Sequence, residues 1–209
     1  MLHSQLAFME KDERPDLFDI KFLRDELLYY ARDENQFLRR RRTFVFALYP
    51  DLDQTRFKDR GVEFQRGVLL LALLYTLVRK LSEWLNTDAL SFRFLFVSEE
   101  GEPLAAERAL LESLLMNEIA NGSVQMAKVT PHELAGECAR WSRRSLCHAL
   151  LVDVRARDLE AEDTVVHRLR IDGQRPALMD DDGEPLFLEG DDSLESWGAV
   201  LKEILQRWI

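Results

Sequence analysis

The sequence has few of the residues that build metal sites, disulfides and phosphate-binding loops. It contains two cysteines, nine glycines and four histidines among 209 residues. Cys138 and Cys147 show neither the close spacing of a zinc site nor an even multi-cysteine pattern, so we expect two buried thiols in a reducing, cytoplasmic environment. No glycine-rich loop follows a predicted strand, which argues against nucleotide binding of the usual kind. We therefore expect no cofactor.

Long hydrophobic runs and an excess of positive charge are also missing. The longest apolar stretch, residues 68–78, is too short to span a bilayer and predicts a core helix. The N-terminus turns acidic early, unlike a secretory signal. The formal net charge of −10 argues against nucleic acid as a partner, because phosphate binding needs clustered Lys and Arg. The one basic run, residues 39–42, is interpreted as a solvated helix end, with an acidic partner or phosphate as the alternative.

The composition is that of a soluble globular protein, with 46% hydrophobic and 32% charged residues. Neither repeats nor a low-complexity linker divide it. We therefore predict a single domain over residues 1–209. Its core covers residues 17–154, short strands and turns occupy 155–192, and a terminal helix covers 193–209.

Four apolar segments predict the strands of a buried parallel sheet: residues 43–48, 90–97, 123–129 and 147–154. Helical patterns separate them over residues 64–85, 103–122 and 131–144. The last of these begins with a capping box formed by Thr130 and Glu133. Regular alternation of strands and helices predicts a three-layer, doubly wound α/β domain with a mainly parallel sheet.

The two ends of the chain add further elements. An amphipathic helix is predicted after Asp16. Residues 164–171 alternate with period two and suit an edge strand or a hairpin arm, followed by short strands at 177–179 and 186–188. The acidic triplet 180–182 precedes Gly183 and is interpreted as a turn. An apolar stripe from Trp197 to Trp208 predicts a terminal helix capped by Ser193.

The segment YPDLDQT, residues 49–55, directly follows the first strand and is the main candidate site. Ligands of open parallel sheets bind beyond the carboxyl ends of the strands. Glu99 and Glu100 follow the second strand and Asp153 lies at the end of the fourth, so we expect these acidic groups at the same end of the sheet.

One interpretation of this segment is a magnesium-dependent phosphatase. Its D-x-D-x-T pattern resembles that of haloacid-dehalogenase-like phosphatases, with Asp51 as nucleophile and Asp53 as general acid. Ser98 and Lys128 would then contact the phosphate. In that family the nucleophile ends the strand itself, whereas two residues intervene before Asp51. We keep this interpretation as the alternative.

The other interpretation rests on family resemblance. The strand, the covered helix, the second strand with its polar loop and the late strand HALLVDV resemble the von Willebrand factor A (vWA) domain. Intact members bind magnesium through a D-x-S-x-S motif completed by a threonine and an aspartate. In this chain Tyr49 stands at the leading aspartate, Asp51 and Asp53 stand at the serines, and only Asp153 falls near its expected place. The resemblance implies a degenerate metal-ion-dependent adhesion site without metal, and a weak divalent site is the alternative.

Residues 17–154 also resemble the divergent A-like proteins of prokaryotic MoxR–vWA–β-propeller ternary systems. That resemblance implies a non-enzymatic adaptor that works with a MoxR-type AAA+ ATPase and a β-propeller protein in conflict or stress response. We predict that the adaptor docks a protein partner through its strand-end loops. The residues of this predicted partner-binding loop are Tyr49, Asp51, Asp53, Phe57, Glu99, Glu100 and Asp153.

Overall fold

The computed structural model describes residues 41–58, 63–85, 89–155, 157–180, 183–186, 188 and 193–209. Residues 41–209 form one compact unit. The helix predicted after Asp16 lies outside the described residues, as do Arg39 and Arg40. The prediction of one domain over residues 1–209 therefore stays a prediction.

Six strands form one sheet in the order β3-β2-β1-β4-β5-β6. Neighbouring strands from β3 to β5 pair in parallel, and β6 pairs antiparallel with β5. This confirms the predicted α/β class, the mainly parallel sheet and the hairpin near the C-terminus. The strands are β1 (Arg42–Leu48), β2 (Leu90–Val97), β3 (Val124–Val129), β4 (Leu146–Asp153), β5 (Thr164–Arg170) and β6 (Ala177–Met179).

Helices connect and cover the strands. In the described residues they are a 3₁₀ helix (Pro50–Arg56), α1 (Arg66–Trp84), α2 (Ala105–Leu114), α3 (Met116–Ala120), α4 (Pro131–Ser142) and α5 (Ser193–Trp208). The predicted capping box is present, because Glu133 N–H donates to the Thr130 hydroxyl and the Glu133 carboxylate accepts from Thr130 N–H. None of these helices has the length and apolar character needed to cross a membrane.

The two faces of the sheet are packed differently. One face, called the aromatic face, lies under α1, α2 and α5. Its ring stacks include Phe44 with Trp208 at 4.9 Å and Phe46 with Phe94 at 4.7 Å between centroids. The opposite face, called the α4 face, has smaller buried side chains and packs against Leu134 of α4. This arrangement confirms the layered fold, since strand residues alternate between two buried faces.

The predicted helix over residues 103–122 is interrupted. It begins at Ala105 because Leu104 adopts a left-handed conformation with φ 61° while its side chain is 3% exposed. A second break falls at Leu115, whose side chain is fully buried. The helix is interrupted because burying these two leucine side chains is more favourable than continuing the helical backbone. Gly122 takes the predicted left-handed conformation, with φ 80°.

The interpretation of the basic run as a helix end is wrong for Arg42, which opens β1. Its guanidinium Nη1 donates to the backbone oxygen of Trp208 at 2.9 Å, so the cation satisfies the end of α5. Residues 164–171 were predicted to form an edge strand or a hairpin arm, and the structure shows the hairpin arm. β5 lies between β4 and β6, but β6 pairs only with Arg168, Leu169 and Arg170.

The turn near residues 180–183 is confirmed where it is described. Asp180 Oδ1 accepts from Glu184 N–H at 2.8 Å, and Gly183 has φ 82°. The strand predicted at 186–188 is reduced to backbone contacts with β6: a bridge between Met179 and Pro185, and a bond from Leu186 N–H to the Leu178 oxygen.

Candidate functional site

The candidate site lies where the chain order of the sheet reverses. β1 is flanked by β2 on one side and β4 on the other, so the connections to these strands leave in opposite directions. Such a switch point opens a crevice beyond the carboxyl ends of the two strands. The segment 49–55 follows β1 and Asp153 ends β4, so the fold brings both to this crevice.

Tyr49 is part of the buried structure under the site. It is 4% exposed, and its N–H donates to the Val152 oxygen at 3.3 Å, which extends the β1–β4 pairing by one residue. The guanidinium of Arg157 lies 4.4 Å from the centre of the Tyr49 ring. Burial raises the pKa of the Tyr49 phenol. Tyr49 is therefore a packing residue that carries a cation on its ring.

Asp51 ties the 3₁₀ helix to the loop after β4. Its side chain is 8% exposed and its Oδ2 lies 3.5 Å from Nη2 of Arg157. The same oxygen accepts from Val154 N–H at 3.4 Å and from Arg155 N–H at 3.1 Å. Oδ1 is buried and has no hydrogen-bond partner in the described part of the chain. The carboxylate thus acts as a structural bridge between the two strand ends.

Asp153 is the most perturbed acid of the site. It is 3% exposed. Burial is the largest cause that raises the pKa of Asp153 to about 7, and the charge of Asp51 adds to it. Arg170, the register partner of Asp153 on β5, acts in the opposite direction together with Arg157. The carboxyl group is therefore partly protonated near neutral pH.

The remaining predicted residues form an exposed rim around this buried cluster. Phe57 is 76% exposed, and Asp53, Glu99 and Glu100 are exposed as well. Ser98 Oγ donates to the Glu100 oxygen at 2.5 Å, which orders the loop after β2. The seven predicted residues thus divide into a buried set of three and an exposed set of four. Only the exposed set can touch a partner without rearrangement.

Sequence reasoning missed Arg157. It is the residue that contacts both Tyr49 and Asp51, and it lies just beyond β4. Two arginines, at 155 and 157, follow the strand that carries Asp153, and this local excess of positive charge next to a buried acid was the available signal. Nothing in the sequence indicated that the Arg157 guanidinium turns back over the end of β1.

The site offers only part of a metal-binding set. Asp51 and Asp153 are the two acids at the crevice, and Asp53 points to solvent on the rim. Across the residues that the structure describes, no group of three or more His, Cys, Asp or Glu side chains is placed to hold a metal ion. The guanidinium of Arg157 already supplies positive charge beside Asp51.

Comparison with known proteins gives one finding. A family model described as the vWA domain found in the FtsH ternary systems matches residues 1–208. No curated protein and no solved structure matches the chain. Because the family match spans nearly the whole sequence, the chain belongs to this family of vWA domains. The predicted vWA-like identity within a ternary system is confirmed.

Proposed function

From this membership and the geometry of the crevice, we propose that the chain is a non-catalytic adaptor domain that binds a protein partner in an FtsH ternary system. The single observation that carries the proposal is the cation–carboxylate arrangement at the switch point. Arg157 lies over Tyr49 and beside Asp51, the two residues that stand at metal-binding motif positions in the resemblance to intact vWA domains. The positive charge of the Arg157 side chain at this position supports a degenerate adhesion site.

The partner we propose is an AAA+ ATPase, with cytoplasmic location of the assembly. The family description names FtsH, so we favour an FtsH-type ATPase over the MoxR-type ATPase that the sequence resemblance implied. A β-propeller protein as a third component, and a role in conflict or stress response, stay predictions from that resemblance.

The proposed docking surface is the exposed rim of the crevice. Phe57 offers an exposed apolar anchor after the 3₁₀ helix, and Asp53, Glu99 and Glu100 contribute exposed negative charge in the loops after β1 and β2. Arg56, which ends the 3₁₀ helix between Asp53 and Phe57, is already paired with Glu107 at 2.6 Å. A partner surface with an apolar pocket and surrounding basic residues would complement this rim.

A matched pair of variants tests the docking surface. The rim variant combines Phe57→Ser, Glu99→Gln and Glu100→Gln. The control combines Trp84→Ser, Glu83→Gln and Glu112→Gln, which alter an exposed tryptophan and two exposed carboxylates on α1 and α2. We expect co-purification with the FtsH-type ATPase of the same system to be lost in the rim variant and kept in the control.

Equal retention by both variants would contradict the proposed surface, and failure of the wild-type chain to bind the ATPase would contradict the proposed partner. Circular dichroism should show that both variants remain folded, because all six positions are solvent-exposed or ion-paired at the surface.

Two assays test the proposal that the site is neither metal-loaded nor catalytic. Calorimetric titration with Mg²⁺ and Mn²⁺ should show no tight stoichiometric binding, since Arg157 competes for Asp51. Hydrolysis of an aryl phosphate in the presence of Mg²⁺ should not exceed the buffer rate. Magnesium-dependent hydrolysis that Asp51→Asn abolishes would instead establish the phosphatase alternative.

A further inference from the structure

A second cluster of polar residues lies at the opposite end of the sheet, where β1, β2 and β3 begin. A cleft of about 410 Å³ opens there. Arg41 contributes from the start of β1, Ser91 and Arg93 from β2, and residues 121–123 from the turn before β3. This volume lies within the range of about 300–1,000 Å³ that is usual for small-molecule sites. No part of the proposed partner-binding rim lines this cleft.

Arg93 is the central residue of the cleft. It pairs in register with Val45, which is buried on the α4 face, so its side chain lies on that face. The guanidinium carbon lies 4.1 Å from the centre of the Trp141 ring. An arginine stacked in this way keeps its in-plane N–H groups available for a planar or tetrahedral oxyanion.

The positive charge of the cleft is not neutralised by the described residues. Arg93 and Arg41 have no ion pair with any carboxylate in the part of the chain that the structure describes, and Nε of Arg93 is buried without a hydrogen-bond partner. Glu137, the acid whose charge acts on Arg93, pairs with Arg140 at 2.5 Å. Burial and the charge of Arg140 lower the pKa of Arg93. An uncompensated cation is notable in a chain with a net charge of −10.

Neutral donors lie beside these arginines. The Ser91 hydroxyl makes no hydrogen bond to other described residues. By contrast, the Ser123 hydroxyl donates to the Glu118 backbone oxygen at 3.1 Å, and Ser123 N–H donates to Asn121 Oδ1 at 2.9 Å. The turn is therefore held rigid by its own bonds, and Ser91 remains available to a ligand.

We propose that this amino-end cleft binds an oxyanion, the phosphate or carboxylate group of a small ligand, through the guanidinium groups of Arg93 and Arg41 and the hydroxyl of Ser91. A bound oxyanion would supply the negative charge and the acceptors that the cleft lacks. The stack on Trp141 orients Arg93 before binding, so little side-chain entropy is lost when the ligand arrives.

The test uses the full chain and inorganic phosphate as the probe. Phosphate is titrated against chloride at constant ionic strength while the Trp141 indole N–H signal, assigned with Trp141→Phe, is followed by NMR. We expect a saturable shift that chloride does not reproduce. A parallel titration with acetate identifies the preferred group, because the tighter of the two anions reports whether phosphate or carboxylate is the natural moiety.

Variants distinguish specific binding from general charge attraction. We expect Arg93→Gln to weaken phosphate binding about tenfold, as loss of a charged hydrogen-bonding group does. Arg93→Lys keeps the charge but loses the stacked fork, so it should also weaken binding. Lys202→Gln removes one exposed positive charge from α5 and should leave the affinity within about twofold, since only a screened long-range charge is lost.

Arg41→Gln provides a second variant at an exposed position, in case Arg93→Gln impairs folding. It should also weaken phosphate binding. Absence of a saturable phosphate response, or equal affinities of the Arg41→Gln and Lys202→Gln proteins, would overturn the proposed site. These results do not depend on binding of the ATPase, so this site and the adaptor function fail or succeed separately.

Discussion

Both faces of the sheet bury titratable groups, and one group from each face, His148 and Asp153, shows how two such groups respond to pH in opposite directions. His148 lies on the aromatic face, 6% exposed, with its ring stacked 5.6 Å from Phe44. Burial is the largest cause that lowers the pKa of His148 to about 4, followed by the charges of His167 and Arg42. Asp153 lies on the α4 face, where burial raises its pKa to about 7.

The difference arises from the chemistry of the two side chains and not from their environments. Both sites favour the neutral form of the side chain, because burial penalises charge of either sign. For a histidine this means stability at high pH, and for an aspartate it means stability at low pH. Between pH 4 and pH 6.5 a rise in pH therefore adds stability through His148 and removes it through Asp153, so the two contributions oppose each other.

The largest expected effect comes from removing the aromatic face's central side chain. Trp208 is 1% exposed and stacks on Phe44. We expect Trp208→Ala to lower the free energy of unfolding by about 3–5 kcal/mol. Trp84→Ala is the matched control, because Trp84 is 54% exposed, and should change it by about 0.5 kcal/mol or less. Urea unfolding measures both, and equal effects would contradict the packing of α5 on this face.

The next effect concerns the α4 face. Above pH 3.8 and up to about 7, ionisation of Asp153 in the unfolded chain lowers the stability of the folded state. Asp153→Asn removes this penalty. The free energy of unfolding of the variant relative to wild type should rise by about 3 kcal/mol from pH 4 to pH 8, after allowance for solvent near the carboxyl group. Urea unfolding as a function of pH measures the gain, and a constant difference from wild type would contradict the raised pKa.

His148→Phe tests the aromatic face with a side chain of similar shape. Wild-type protein loses stability as the pH falls from 6.5 through about 4, because the unfolded chain takes up a proton that folded His148 resists. The variant lacks this loss. The free energy of unfolding of the variant relative to wild type should rise by about 2 kcal/mol as the pH falls from 7 to 4. A parallel pH dependence in the two proteins would show that His148 accepts a proton in the folded state.

The double variant His148→Phe with Asp153→Asn sharpens the comparison. Each single variant should reveal the pH dependence of the other group, with stability rising with pH in Asp153→Asn and falling with pH in His148→Phe. In the double variant, these two positions should no longer change the free energy of unfolding between pH 4.5 and 6.5. Because the two side chains lie on opposite faces, their effects should add.

The smallest expected effect separates helix stability from the pH response. Thr130→Ala removes the cap of α4, the helix that covers the α4 face, and should cost about 1 kcal/mol. The loss should be the same at pH 6 and pH 8, because the Thr130 hydrogen bonds lower the pKa of Glu133, which stays ionised over this range, and Thr130 does not contact Asp153 or His148. Thr130→Ser retains the hydroxyl and serves as the control. A loss confined to high pH would indicate that the cap acts through Asp153.

Much of the sheet could be predicted from local patterns. β2 was placed at residues 90–97 and β6 at 177–179, as found, and β1, β3 and β4 were placed within one residue at each end. These strands are rich in apolar residues and end at polar or turn-forming residues, and such boundaries are visible without tertiary information. The capping box at Thr130 was equally local.

The errors arose where distant contacts decide the backbone. Leu104 leaves the helical region because its side chain enters the core, and Arg42 joins β1 while its guanidinium binds the end of α5. Tyr49, Asp51 and Asp153 lie at the strand ends where the sequence placed them, but the burial of their side chains was not foreseen. The sequence shows which side chains follow a strand and does not show which of them turn inward.

By itself, the sequence determined the alternation of strands and helices, the layered α/β class and the end of the sheet at which the acidic residues gather, since hydrophobic period and turn chemistry are local properties. Only the tertiary structure decided that Arg157 covers Tyr49 and joins Asp51, and that Arg93 stacks on Trp141 without a carboxylate partner among the described residues. These pairings join segments distant along the chain, and their geometry arises only when the strands are assembled side by side.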